Sequence, residues 1–85
     1  MDLRYIGRNI RFYRAEQRAS QEKLAEKTGL SPNYIGMIER GEKIPSLKSL
    51  LKISVALGVM PGVLLTDWEY ARWKWVENGH NKIHP

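Results

Sequence analysis

The 85-residue chain has no cysteine, which excludes a disulfide framework and a thiolate metal site as supports for a small core. Stability must come from packing or assembly, and a reducing, intracellular setting fits best. Long hydrophobic runs are also missing. The longest uncharged stretch, Ile53 to Thr66, has 14 residues and is broken by Gly58, Pro61 and Gly62, which is too short to span a bilayer. The opening "MDLRYIGRNIRFYRAEQR" lacks the apolar segment of a secretory signal. Neither export nor a membrane is expected, and the cytoplasm is the expected location. No stretch shows the alternation of a strand, and the length admits one small domain.

Acidic residues are few beside the basic ones: 14 Lys and Arg against 9 Asp and Glu give a net charge of +5 and a pI near 9.8, favouring an anionic partner. The excess is unevenly placed. Residues 1–65 hold 11 basic and 6 acidic side chains, whereas residues 66–85 hold three of each and all three tryptophans. This divides the chain into a basic body, 1–65, and an aromatic extension, 66–85, with no flexible linker, internal repeat or low-complexity run.

Helical spacing dominates the body. Leu3, Ile6, Ile10, Tyr13 and Gln17 share one arc of a first helix, and Arg4, Arg8, Arg11, Arg14 and Arg18 form a stripe on another. Ser20 caps a second helix that turns Leu24 and Ala25 inward and ends at Gly29. Ser31 and Pro32 open a third, with Ile35 and Ile38 inward, which Gly41 stops. Pro45 and Ser46 start a fourth, in which Leu47, Leu50, Ile53, Ala56 and Leu57 lie close to one face and which Gly58 closes. The expected fold is all-α: a compact bundle of about five short helices, with an additional C-terminal helix. Two short helices joined by a brief Gly-containing turn describe a helix-turn-helix, whose second helix begins with polar groups because its first turn must project hydrogen-bonding side chains.

The residues Gln21, Leu24-Ala25, Gly29, Ser31, Asn33, Tyr34-Ile35 and Ile38-Glu39-Arg40-Gly41 carry a family pattern. On them, the stretch from Ile6 to Leu65 resembles the helix-turn-helix domain of phage repressors and Cro proteins, the Xre-type regulators. The resemblance implies sequence-specific binding of double-stranded DNA by a transcriptional regulator, most often a repressor; a homodimer on an inverted repeat is expected because one recognition helix reads few bases and two-fold symmetry supplies a second. It implies that Gln21 meets a phosphate and braces the recognition helix, and that Arg14 and Glu39 form a buried ion pair. Arg40, Lys43 and Lys48 sit where relatives contact phosphate.

Where many relatives carry a long polar side chain that reads a base, this chain has Pro32, so readout shifts to Ser31, Asn33, Tyr34 and Met37. Asn33 is the best reader, since a carboxamide pairs bidentately with adenine. Tyr34 either touches DNA or covers the edge of the core. Gly36 in mid-helix costs roughly 1 kcal/mol relative to Ala, which a close approach of DNA to the backbone would explain. Pro61-Gly62 departs from the family pattern and leaves a fifth helix short or irregular.

Other chemistries fit poorly. His80 and His84 share helical spacing but lie among Asn78, Gly79, Asn81 and Pro85, so no metal site is expected. Glu22 and Glu26 alternate with Lys23 and Lys27 as an exposed helix face does, not as an acid/base pair. No phosphate loop follows a strand, so no enzyme and no cofactor are expected. In the tail, Trp68, Ala71 and Trp75 continue the face of Leu64 and Leu65, while Tyr70 and Trp73 project oppositely. Trp68, Tyr70, Trp73 and Trp75 are therefore the candidate dimer or partner interface. Two neighbouring roles remain open: an antitoxin or adaptor that binds a toxin or another protein, and a restriction-modification controller.

Overall fold

The computed structural model describes residues 2–77, and for residues 73 and 75–77 it describes the backbone course alone. Six helices follow one another: α1 (Tyr5–Glu16), α2 (Gln21–Thr28), α3 (Pro32–Glu39), α4 (Leu47–Leu57), α5 (Pro61–Leu64) and α6 (Trp68–Glu77). No strand occurs among the described residues. The all-α bundle and its C-terminal helix thus stand as the sequence implies.

Local chemistry sets the helix ends. The hydroxyls of Ser20, Ser31 and Ser46 accept the backbone N–H three residues on, from Lys23 (2.9 Å), Tyr34 (3.0 Å) and Ser49 (3.1 Å), each satisfying a donor that a helix start leaves unpaired. Gly29 and Gly58 end α2 and α4 at φ 74° and 70°, where a Cβ would be strained. α1 ends differently. Arg18 takes φ 55° just beyond it, a left-handed conformation that side chains usually avoid.

The core joins Ile6 and Ile10 of α1, Leu24 and Ala25 of α2, Ile35 and Ile38 of α3, Leu50, Ile53 and Leu57 of α4, and Leu64 of α5. Side-chain to backbone bonds tie the layers at their ends. Gln17 Nε2 donates to the Leu57 carbonyl at 2.6 Å, and Asn9 Nδ2 donates to the carbonyls of Leu64 (2.9 Å) and Thr66 (2.8 Å). The Tyr5 hydroxyl donates to the Leu65 carbonyl. Two side chains of α1 thus hold the end of α5, four residues long as Pro61-Gly62 implied, and fix where α6 departs. α6 enters none of the closely packed helix pairs.

One inward assignment needs correction. Leu47 is 70% exposed, because as the first residue of α4 it aligns with Leu51 and Val55 at four-residue intervals, away from Leu50 and Ile53. Trp68, a candidate interface residue, is 50% exposed, and its indole N–H donates to the Val63 carbonyl at 3.1 Å, holding the ring beside the α5–α6 turn. Tyr70 is exposed as its spacing implied. The side chains of Trp73 and Trp75, and the whole of His80 and His84, lie outside the described residues.

α1 crosses α3 at Gly7, where a Cβ would stand 1.9 Å from the Ile38 carbonyl oxygen and 3.1 Å from Glu39 Cα. Backbone cannot swing aside as a side-chain tip can. Gly7→Ala, which in an open helix would stabilise by roughly 1 kcal/mol, is therefore expected to destabilise by about 3 kcal/mol or more in urea unfolding. A neutral or stabilising result would show that the two helices separate freely.

Candidate nucleic-acid interface

The helix α3 is placed through one carboxylate at its last residue. Glu39, its side chain 2% exposed, accepts two bonds from Arg14 of α1, Nε to Oε2 at 2.7 Å and Nη2 to Oε1 at 2.9 Å. Gln21, at the start of α2, adds Nε2 to Oε1 at 3.0 Å. The guanidinium is held in turn, with Nη1 donating to the Ala19 carbonyl at 2.7 Å. The bond to Glu39 raises the pKa of Arg14 above its ordinary value, while burial opposes it. A planar fork meeting a carboxylate on two bonds fixes orientation as well as distance. α1, α2 and α3 therefore meet at one locked point, which includes the bracing that the family resemblance implied for Gln21.

With its end locked, α3 presents its beginning. Ser31, Pro32 and Asn33 are exposed and Tyr34 and Met37 half-buried. Asn33 has the least internal commitment, since its amide meets only Met37 Sδ at 3.7 Å. Tyr34 points its polar end into the domain, where its hydroxyl accepts the Ser46 N–H at 3.3 Å at the start of α4. A bond with Ser49 holds its phenol below the usual pKa, against burial, with help from Ser46 and the charge of Lys43. The core-edge role left open for Tyr34 is thus occupied.

Gly36 is buried under its neighbours. A Cβ there would lie 2.9 Å from Arg40 Nη1 and 3.4 Å from Gln21 Oε1, so the close approach that its glycine accommodates comes from inside the molecule. Arg40 reaches back over that position and bonds Glu42 through Nε at 2.6 Å. This pairing raises the pKa of Arg40 and lowers that of Glu42. Lys43 and Lys48 are exposed and form no ion pair among the described residues. Glu42 was missed in the sequence, although an acid two residues from a candidate phosphate-binding arginine is a readable signal. Gly7 and Asn9 were missed as well; their roles depend on residues 31 to 57 positions away, and nothing local marks them.

An all-helical body that exposes the first turn of one short helix and anchors its last residue on the two preceding helices is a helix-turn-helix DNA-binding domain. A helix-turn-helix family model matches residues 10–64. The control protein C.SmaI of Serratia marcescens is 42% identical over 67 residues, 78% of this chain and 80% of that protein. The transcriptional regulator SinR of Bacillus licheniformis is 40% identical over 63 residues, 73% of this chain but only 57% of SinR. Among solved structures, the restriction-modification controller protein C.AhdI from Aeromonas hydrophila matches with a TM-score of 0.71 at 40% identity, over 74% of this chain and 96% of that one. The chain belongs to the Xre/Cro-type helix-turn-helix family of DNA-binding transcriptional regulators.

Breaking a buried pair typically costs about 3 to 5 kcal/mol, because one charge stays behind without its partner. Arg14→Ala is expected to lose stability on that scale in chemical denaturation, and Arg14→Met combined with Glu39→Leu to lose much less. If Arg14→Ala melted normally, Glu39 would have to be solvated despite its burial.

Proposed function

We propose that the chain binds an inverted-repeat operator as a homodimer in the cytoplasm, placing α3 of each copy in successive major grooves. The observation that carries this is the exposed, polar first turn of a helix whose other end is locked. In this reading Asn33 reads a base edge, with Ser31, Tyr34 and Met37 beside it. Gln21, Arg40, Lys43 and Lys48 hold the phosphates, while Gly36, covered by Arg40 and Gln21, is left out of the contacts. Arg40 must give up Glu42 to do so, and Glu42 therefore weakens binding.

One recognition helix spans few base pairs, and two-fold symmetry supplies the second. Leu47, Leu51 and Val55 are 70%, 43% and 80% exposed and recur every four residues along α4, with Met60 (76%) beyond them. Such a stripe on a small protein supports self-association, and we assign the homodimer to it. The aromatic extension, residues 66–85, then remains as a partner-binding segment outside the DNA-binding body of residues 1–65; exposed Trp68 and Tyr70 support this division. No described helix is long and apolar enough to cross a membrane. The match to two controller proteins over most of their own length supports control of a restriction-modification gene pair as one role for such a regulator, beside a plain repressor and an antitoxin. An adjacent methyltransferase gene would favour the controller role, and an adjacent toxin gene the antitoxin.

Selection of bound sequences from random duplexes tests the reading, with a clear inverted repeat expected. On that site Asn33→Ala should cost roughly 1 to 3 kcal/mol and relax preference at one base pair; equal losses on selected and random DNA would refute base reading. Glu42→Gln should tighten binding to all duplexes and steepen the logarithmic salt dependence by up to about one. An unchanged slope would remove Arg40 from the phosphate contacts. Sedimentation should show Val55→Glu as a monomer that still folds, and the chain lacking residues 67–85 as a dimer. The reverse outcome would transfer the interface to the extension.

A further inference from the structure

The arginine stripe of α1 is only partly used by the fold. Arg4 bonds Asp2 at 2.8 Å and Arg14 bonds Glu39. Arg8 and Arg11 are exposed and form no ion pair among the described residues, although Arg8 lies close enough for its charge to act on Asp2. Phe12 stands with them, 57% exposed on the side of α1 turned away from Ile6 and Ile10. A lone exposed phenylalanine is ordinary. This one is the ridge between two hollows, both of which include Arg8.

The first hollow, about 450 Å³, runs from Phe12 past Asn9 and Tyr13 to Trp68 on α6. The second, about 470 Å³, runs from Phe12 past Arg11 and Ala15 to Glu16 and reaches Glu39, whose charge is already met by Arg14. Their walls are pinned. Tyr13 meets Phe12 edge-on, with ring centroids 5.1 Å apart and planes at 89°. Asn9 is tied to the carbonyls of Leu64 and Thr66, and the indole of Trp68 to that of Val63. The trough is thus preformed, and an occupant meets surfaces that need little further ordering.

Its chemistry selects the occupant. Arg8, which lines both hollows, and Arg11, which lines the second, stand beside the Phe12 ridge and match a large apolar side chain with neighbouring carboxylates, and arginine and aromatic residues are the types enriched where proteins bind proteins. Phosphates would use the arginines but leave Phe12, Tyr13 and Trp68 without a role. An open trough favours a peptide segment over a small ligand, which needs enclosure. We propose that the outward face of α1, together with Trp68, docks an acidic amphipathic segment of another protein. Its apolar anchor lies against Phe12, Tyr13 and Trp68, and its carboxylates meet Arg8 and Arg11. This surface lies outside the proposed DNA contacts, so the two readings can fail separately.

A random peptide library displayed on phage and panned against the full chain tests the proposal. Enriched peptides should carry Asp or Glu beside a large apolar residue. Synthetic copies should bind at least about tenfold more weakly to Phe12→Ser, and likewise to the double variant Arg8→Glu, Arg11→Glu. Phe12→Ser should melt like the parent and bind the selected duplex within about twofold of it. No enrichment, enrichment without acidic residues, or binding indifferent to both variants overturns the proposal. So does loss of duplex affinity in the arginine double variant with peptide binding intact, which would assign the two arginines to DNA.

Discussion

Everything in the recognition surface depends on the carboxylate of Glu39. It is nearly closed to water, and a buried charge is tolerated only when fully partnered. Arg14 supplies two bonds and Gln21 a third, from two other helices. The last turn of α3 cannot rotate or slide without losing them. What this achieves is geometric: an eight-residue helix, too short to be stable alone, is held so that its first turn faces outward.

A second constraint acts at the neighbouring residue. Gly7 lets α1 approach until only a hydrogen fits between its backbone and the Ile38 carbonyl. The ion pair sets the direction of the two helices and the glycine sets their separation. The apolar side chains Ile6, Ile10, Ile35 and Ile38 then close around that crossing. Asn9 and Tyr5 carry the same helix to the end of α5. α1 thereby serves as the frame on which α3 and the departure of α6 are both set.

Charge in the surface is less generous than the composition implies. Arg4, Arg14 and Arg40 are engaged by Asp2, Glu39 and Glu42, so the cations available to a phosphate differ from those that can be counted. Arg40 and Glu42 are both half exposed, where an ion pair contributes little to stability and exchanges readily. The pair therefore contributes little to folding.

The helices are legible in the chain alone, because their ends are matters of adjacent residues: serine caps, a proline at the first position of α3, and glycines where the chain turns left-handed. So are the helix-turn-helix and the partnership of Arg14 with Glu39, through a pattern of residue types at set spacing. Which apolar positions are covered depends instead on how the helices pack on one another. Leu47 and Leu50 look equivalent in a list of helical spacings, yet one is in water and the other in the core, because a helix face wider than its partner leaves an apolar margin. The placing of Trp68 is likewise a tertiary matter, since its indole is held by a bond to the Val63 carbonyl across the α5–α6 turn. Gly7 shows the limit most plainly: its necessity lies in a carbonyl 31 residues away, and a contact between distant backbones leaves no local mark in the chain.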